Sequence, residues 1–467
     1  MAEEENNGGE NDNIDRLSNL PDSVLCHIFS FLPTKTTIQT TPLISHRYRN
    51  LWKTLQTFDF DDEYEFNGKT ESENTEHFMF FSIFVNAVLA QRESRRIRKF
   101  RLSCCHFHED VFYTSSIDTW VRTAIGPYLE EFYISLCNYD DGFNLPLTLL
   151  SCSNLVFLRL CGFILFQLKD SSEVCLPSLK GLQLLVGDGS DANSVNILLS
   201  GCPILEDLEL SFCHFSFAKL RVQTSLLKRL AITFAYEAGG CVEIDAPGLK
   251  YLSLSNGTAF GNLHNVKEAY LAEFSTPESE SVFRLLNLLQ ALSGIKHLML
   301  DHYITERLLD APFLDFPEFC YLLHLDIGLP SFNMVIVFNM LQKCPMLQTL
   351  IILQCKEPEP VIDDSFSYGW VAKLKTVAKC LKSPLYGWLV KPNSVPTCLA
   401  SHLTFIHYKA FQGNRHELEF IRYVLQNGLL LKMMVINGIY LLDRPEEWVE
   451  FISNMPRGSA MCQFQFH

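Results

Sequence analysis

The chain repeats one short apolar pattern over most of its length, and this periodicity restricts its fold more than any other feature. The clearest copy has apolar residues at positions 1, 4, 6 and 9, which are Leu205, Leu208, Leu210 and Cys213. Successive copies start 17 to 32 residues apart, and most intervals fall within the roughly 20 to 29 residues typical of one class of stacked repeats. Eleven copies start at residues 97, 129, 155, 179, 205, 227, 249, 266, 295, 322 and 347.

Each copy of the pattern predicts a strand, a turn and a helix. Positions 4 and 6 alternate with polar positions, as Leu230 and Ile232 do, and this period of two indicates a half-buried strand. Between copies the spacing becomes helical, and Pro203 and Pro345 stand where two of the helices must stop. A single strand and helix cannot bury its apolar side, so neighbouring units have to stack.

Stacking of these units predicts an α/β solenoid with a parallel sheet on its curved inner face and helices outside. Residues 95–394 thereby resemble leucine-rich repeats of the cysteine-containing type. Side chains at position 5 should line the inner face, which is where a solenoid meets its ligand. The side chains that we expect to contact a protein target are Arg101, Tyr133, Arg159, Glu209, Tyr270 and Asp326.

Two further segments accompany the repeats. The apolar window 78–90 is too short to span a bilayer, which takes about 20 apolar residues, so it predicts a buried helix. We place it in a helical linker and repeat cap at residues 55–94. Residues 356–394 are rich in Pro, Lys and Gly and indicate a long surface loop, after which the apolar pattern returns at Leu403 and Leu431.

The segment before the repeats predicts a compact helical unit. Pro21 suits the first position of a helix, where its missing N–H costs nothing, and a second helix should lead to a cationic aromatic cluster that ends at Trp52. A unit of about 40 residues is too small to bury a sufficient core, so a surplus apolar face should dock on a partner. The residues of that face recur at helical spacing and are Val24, Leu25, Ile28 and Leu32.

Residues 14–54 resemble an F-box through the Leu20-Pro21 start, the central segment 28–33 and the closing Asn50-Leu51-Trp52. The resemblance implies a small all-α module that binds a Skp-type adaptor and, through it, a cullin. The repeats would then recruit a protein substrate for a ubiquitin ligase of the Skp-cullin-F-box (SCF) type. The adaptor-binding residues that the resemblance implies are Leu20, Pro21, Val24, Leu25, Ile28, Leu32, Pro33, Arg47, Leu51 and Trp52.

Residues 395–467, which begin Val395-Pro-Thr-Cys-Leu399, resemble the FBD domain that follows such repeats in plant F-box proteins. The resemblance implies an α+β unit that continues the stacking and caps the end of the repeats. The F-box, repeat and FBD resemblances cover nearly the whole chain, and residues 1–13 are expected to form a disordered acidic tail.

Two alternative functions stay open. Pro42 and Tyr48 depart from the F-box pattern, so a repeat scaffold that has lost its ligase role is one alternative. The other is a nucleotide-binding enzyme, because the phrase Gly187 to Ala192 lies between a predicted strand and a predicted helix, with Glu209 about twenty residues further on. Any unit of this repeat produces the same strand-turn-helix order, and we therefore favour the repeat interpretation.

Charge and residue spacing argue against other classes of function. The net charge of −15 disfavours a nucleic-acid-binding protein, because such proteins present a basic face. The basic run from Arg92 to Arg101 could bind an acidic ligand, but a solvated surface is the favoured interpretation. Neither Cys104 to His108 nor His416-Glu417 has the spacing of a zinc site, so we expect no metal, cofactor or catalytic residue.

The sixteen cysteines and the start of the chain bear on its location. The acidic N-terminal segment lacks the basic and apolar regions of a secretory signal. Without export, the cysteines are expected to be reduced thiols that serve as small buried apolar side chains. We therefore expect no membrane association and a cytoplasmic or nuclear location.

Overall fold

The computed structural model describes residues 19–62, 71–104, 111–136, 142–186, 192–212, 220–234, 240–272, 279–309, 316–330, 333–354 and 394–467. The chain divides into two compact units. Unit 1 is Met1–Phe166 with Ser172–Leu179, and unit 2 is Gln167–Ser171 with Lys180–His467. The predicted acidic tail and nearly all of the predicted loop at 356–394 lie outside the described residues.

Unit 1 begins with short helices and continues as repeats. The starting helices are α1 (Asp22–Phe29), α2 (Thr34–Ile44) and a 3-10 helix (His46–Thr54). The repeats contain β1 (Thr57–Asp61), α3 (Glu71–Gln91), β2 (Lys99–Cys104), α4 (Val111–Ala124), β3 (Glu131–Leu136), β4 (Phe143–Asn144), a 3-10 helix (Leu147–Ser151) and β5 (Phe157–Leu165). The strands pair in the order β1-β2-β3-β5, all parallel, and β4 pairs with β5.

Residues 55–94 contain a strand that the sequence analysis missed. Leu55 and Phe58 occupy positions 1 and 4 of a further copy of the pattern, and β1 pairs in register with β2. The prediction of a buried helix at 78–90 needs a correction as well, because α3 buries only one of its faces. Packing on one side covers only part of a helix surface, and the window 78–90 is apolar on nearly every face, so Met79, Phe80 and Ile83 remain exposed.

Unit 2 is a longer series of the same kind. Its repeats contain β6 (Gly181–Val186), α5 (Ala192–Ser200), β7 (Asp207–Phe212), β8 (Leu220–Val222), β9 (Arg229–Phe234), β10 (Gly240–Ile244), β11 (Tyr251–Ser255), β12 (Gly257–Gly261), β13 (Glu268–Ala272), α6 (Ser279–Ala291), β14 (His297–Leu300), α7 (His302–Leu309), β15 (His324–Leu329), α8 (Met334–Lys343) and β16 (Thr349–Gln354). The C-terminal segment adds α9 (Thr397–Ser401), β17 (Phe405–Lys409), α10 (Arg415–Asn427), β18 (Met433–Ile436), α11 (Pro445–Ser453) and β19 (Gln463–Phe466).

The strands of unit 2 form one parallel sheet in the order β6-β7-β9-β11-β13-β14-β15-β16-β17-β18-β19. In both units, every predicted copy of the pattern forms a strand that begins two residues after position 1. Position 4 pairs with position 4 of the next strand, as Leu208 does with Leu230. The shortest interval keeps the same register, with Ala269 opposite Leu298. Buried aliphatic rows of this kind, at about 1.5 to 3 kcal/mol per side chain, hold neighbouring units together.

The predicted helix between strands is wrong for three consecutive units. There β8, β10 and β12 form a second parallel sheet, in the order β12-β10-β8. These units have the shortest intervals in the chain, 22, 22 and 17 residues. A strand rises about 3.3 Å per residue and a helix only 1.5 Å, so the strand returns the chain to the next unit with fewer residues.

The C-terminal segment extends the sheet directly. β17 pairs with β16, β18 with β17, and β19 with β18, which confirms the predicted return of the pattern at Leu403 and Leu431. The strand β19 was not foreseen. None of the helices in the described parts of the chain combines the length and the apolar character that crossing a membrane requires.

Candidate functional site

The three helices at the start of unit 1, within residues 22–54, form a helical head that packs through buried side chains. Leu25, Phe29 and Tyr48 are buried, and the rings of Phe29 and Tyr48 meet edge to face with centroids 5.7 Å apart. The hydroxyl of Thr34 in α2 accepts a hydrogen bond from the backbone N–H of Asp59 in β1 at 2.8 Å. The head is therefore packed against the first strand of the repeats.

Arg47 fixes the start of α1. Its Nε donates to the Asp22 carboxylate at 3.0 Å, and its Nη2 donates to the carbonyl oxygen of Leu20 at 2.9 Å. Asp22 lies in the first turn of α1, where a negative charge suits the helix dipole. Arg47 thus joins the 3-10 helix to the segment that precedes α1. Because α1 begins at Asp22, Pro21 is the N-cap of α1 and not, as the sequence had predicted, its first helical residue.

The head also exposes large apolar side chains. Between 37% and 84% of each of these residues is accessible to solvent. Isolated exposed apolar residues are ordinary, but several on one small unit indicate an interaction site. We call these residues the exposed apolar set, which consists of Val24, Ile28, Phe31, Leu32, Leu43 and Ile44.

The structure divides the ten residues predicted to bind an adaptor. Leu25 and Trp52 are buried in the head itself, because α1 and the 3-10 helix pack through them, and they offer no surface to a partner. The others are exposed or half-buried, namely Leu20, Pro21, Val24, Ile28, Leu32, Pro33, Arg47 and Leu51. The sequence analysis missed Phe31, Leu43 and Ile44. For Leu43 and Ile44, the position between a Thr-rich segment and Ser45 was a usable signal.

Pro42 and Tyr48, which depart from the F-box pattern, both fit into the helical head. α2 continues through Pro42 and ends two residues later at Ile44. Near the end of a helix, proline removes one backbone hydrogen bond and interrupts little that follows. Tyr48 is fully buried against Phe29, so the departure from the F-box pattern at this position lies in the core of the head.

The predicted target-binding residues of unit 1 form one row. Arg101, Tyr133 and Arg159 are register partners on the adjacent strands β2, β3 and β5. Arg101 lies 3.4 Å from the carboxylate of Asp59. The pKa of Asp59 is raised, because the effect of burial exceeds the opposing effect of the arginine charge. Tyr133 stacks on Phe157 with ring centroids 5.1 Å apart. The row alternates positive and aromatic side chains on a surface that solvent reaches.

The predicted target-binding residues of unit 2 do not form a continuous row on adjacent strands. Tyr270 and Asp326 lie on β13 and β15, with Met299 of β14 between them in register. Glu209 lies on β7, separated from β13 by two strands, and accepts a hydrogen bond from the Gln183 side chain at 2.6 Å. Asp326 also lies 3.9 Å from His297. The sequence analysis missed His297, although position 3 faces the same side of the sheet as position 5.

The basic run of the first repeat is paired with acidic neighbours. Arg98 donates two hydrogen bonds to Glu130, at 2.8 and 2.7 Å, and Lys99 lies 2.7 Å from Glu131. The guanidinium of Arg96 lies over the ring of Tyr128. Mutual neutralisation across strands accounts for these cations, in agreement with the interpretation as a solvated surface.

The phrase Gly187 to Asp191 lies outside the described residues, while the strand before it alternates buried Leu182 and Leu184 with less buried neighbours, as every repeat does. Of the segment Cys104 to His108, only Cys104 is described, and it is buried. Glu417 is enclosed and occupied by hydrogen bonds at the start of α10. Within the described ranges no group of three potential metal ligands comes together.

Three family models match the chain, and they follow the order of the structural segments. The F-box domain matches residues 17–59, the At1g61320/AtMIF1 LRR domain matches residues 86–376, and FBD matches residues 391–436. The F-box match covers the helical head and the first three residues of β1. The FBD match covers α9, β17, α10 and β18.

Proteins of Arabidopsis thaliana resemble the chain, two of the following three over nearly its whole length. The F-box/FBD/LRR-repeat protein At1g78750 is 27% identical, with 96% of each chain covered. The putative FBD-associated F-box protein At3g50710 is 29% identical, with 96% of this chain and 99% of the relative covered. The FBD-associated F-box protein At4g10400 is 33% identical over 55% of this chain and 61% of its own. Domain order, repeat register and these relatives agree that the chain belongs to the plant F-box proteins with leucine-rich repeats and an FBD domain.

Proposed function

We propose that this protein is the substrate-recognition subunit of an SCF-type ubiquitin ligase. Its F-box docks on a Skp-type adaptor and through it on a cullin, and its repeats recruit a protein for ubiquitin transfer. In this proposal the protein acts as a tether and carries out no chemistry itself. Holding the target close to the ligase raises the effective concentration of the target. The expected place of action is the cytoplasm or the nucleus.

The exposed apolar set carries this proposal. Burial of Ile28, Leu32 and Val24 against a partner would contribute about 1.5 to 3 kcal/mol for each fully covered side chain. The head does not cover them itself, since α1 packs inward through Leu25 and Phe29, which form a neighbouring stripe of the same helix. Pro42 lies within α2 directly before Leu43, and Tyr48 is buried in the head. The scaffold alternative that these two residues motivated is tested by adaptor binding.

Co-expression with a plant Skp-type adaptor tests the proposal. The double variant Ile28→Asp/Leu32→Asp places two charges where apolar burial is needed, and we expect the complex to be lost in affinity purification. The matched control is Met79→Asp/Ile83→Asp, which makes the same change at exposed apolar residues of α3. The control should retain the adaptor.

The wild-type protein is the reference in the same experiment. Failure of the wild type to bind any Skp-type adaptor would overturn the proposal and leave the scaffold alternative. Equal binding by the two double variants would place the docking surface elsewhere. Circular dichroism of both variants establishes that each is folded before binding is compared.

A further inference from the structure

Three lysines of unit 2 form a row at the start of three neighbouring strands. Each occupies position 2 of its repeat, immediately before β11, β13 and β14. Their backbones are joined directly, because the N–H of Lys267 donates to the carbonyl of Lys250 at 2.7 Å and the N–H of Lys296 donates to that of Lys267 at 2.9 Å. We call Lys250, Lys267 and Lys296 the lysine row.

Several basic residues at this same position are neutralised elsewhere in the protein. Arg98 is paired with Glu130 of the next strand. In unit 2, Glu206 lies between Lys180 and Lys228 and pairs with both. The usual arrangement at position 2 therefore sets opposite charges on adjacent strands, which is the favourable cross-strand combination.

The lysine row departs from that arrangement. Its members follow one another with no acidic residue at position 2 between them, and none forms an ion pair with another described residue. Glu268 is next to Lys267 in the chain but is the register partner of Tyr251 and His297. Lys250 and Lys296 are exposed, and Lys267 is half-buried. Like charges on adjacent strands oppose folding, so the row is unfavourable until an anion covers it.

We propose that the lysine row is a docking surface for an acidic peptide segment of a protein partner. Adjacent strands lie about 4.8 Å apart, so the three ammonium groups suit carboxylates that are a few ångströms apart along a peptide. The net charge of −15 repels acidic chains in general. At physiological ionic strength, charges act over about 8 Å, and a local row of cations can still bind. This surface belongs to the repeats and does not depend on adaptor docking.

Fluorescence anisotropy with the full-length protein and without an adaptor tests this surface. The probe is a rhodamine-labelled peptide of about ten residues in which Glu alternates with Ser, and its neutral counterpart carries Gln in place of Glu. We expect the acidic probe alone to bind, and to bind less tightly as salt is raised. The variant Lys250→Gln/Lys267→Gln/Lys296→Gln should weaken binding by about tenfold or more.

A matched variant separates the row from overall charge. Lys169→Gln/Lys180→Gln/Lys432→Gln removes the same charge from lysines outside the row, and its affinity for the acidic probe should stay within about twofold of wild type. Carbodiimide coupling followed by peptide mass spectrometry should place the cross-links on Lys250, Lys267 and Lys296. Equal loss of binding in both triple variants, or cross-links elsewhere, would overturn the proposal. So would binding of only an inositol polyphosphate or an oligonucleotide when each is tested beside the peptide.

Discussion

At the scale of single residues, Glu417 stands out in unit 2 because its ionisable side chain is fully buried. Its carboxylate has no exposed surface and accepts hydrogen bonds from the Tyr408 hydroxyl and the backbone N–H of Asn414, both at 2.9 Å. The Tyr408 hydroxyl also lies 3.1 Å from the side-chain oxygen of Gln354, the last residue of β16. Burial raises the pKa of Glu417, and the surrounding donors only partly oppose this effect. Ionisation of Glu417 is therefore less favourable in the folded protein than in the unfolded chain.

The substitution Glu417→Gln gives a test with a definite sign. Because the folded pKa is raised, the contribution of Glu417 to stability is fully present below the ordinary carboxyl pKa and is lost as the pH rises through the folded value. The urea unfolding free energy of wild type minus that of the variant should fall between acidic and neutral pH. Glu419→Gln, beside the exposed Arg415 on the same helix, is the matched change of one carboxylate to an amide. An increase of the Glu417 difference with pH would contradict the assignment.

At the scale of elements, the close approach of β5 to β3 depends on one glycine. Gly162 pairs with Leu136 and has a φ of 101°, in the region that glycine favours. A Cβ at this position would overlap the backbone carbonyl oxygen of Leu136. The apolar pattern predicts the strand but contains no sign of this contact, since the pattern describes side chains and the contact is between backbones.

Replacement of this glycine should therefore separate the two strands. We expect Gly162→Ala to destabilise unit 1 by about 2 kcal/mol or more, because both the backbone angle and the space are unsuitable. Gly126→Ala is the matched change, since a Cβ there would meet no atom within 4 Å. It should alter stability by less than about 0.5 kcal/mol. Urea midpoints of the two variants provide the measurement, and similar midpoints would disprove this account.

At the scale of the whole chain, the burial of the cysteine thiols shows which parts of the repeats exclude solvent. The described cysteines are free, and several are buried in the stack. Burial raises the pKa of Cys202 to about 12 and raises that of Cys398 to about 12. Cys398, at the start of the FBD segment, lies 3.4 Å from the carbonyl oxygen of Leu341 in α8. The FBD segment thus shares its core with the last repeat helix of unit 2.

Thiol labelling can check this arrangement in the intact protein. At about pH 8, iodoacetamide should modify the exposed Cys175 and Cys320 at least about 100-fold faster than Cys202, Cys344 and Cys398, because alkylation requires an accessible thiolate. In urea the difference should disappear. Peptide mass spectrometry over time gives the rate at each site, and rapid native labelling of Cys398 would show that the FBD segment is not closed against the repeats.

The sequence by itself determined where the strands of the eleven predicted repeats lie and how they pair, whereas β1, β19 and the second sheet of β8, β10 and β12 were not predicted from it. The pattern at positions 1, 4 and 6 is local, and a shift of one residue would turn every buried side chain outward, so the register follows from the pattern even at Ala269. Only the tertiary structure decided which apolar residues of the head are left exposed. Helical spacing places Val24, Leu25 and Ile28 close together on α1, but the packing of Phe29 and Tyr48 selects Leu25 for the core. The lysine row follows from the same register, because position 2 of consecutive repeats meets on adjacent strands, but only the structure shows that none of its three members is ion-paired with another described residue.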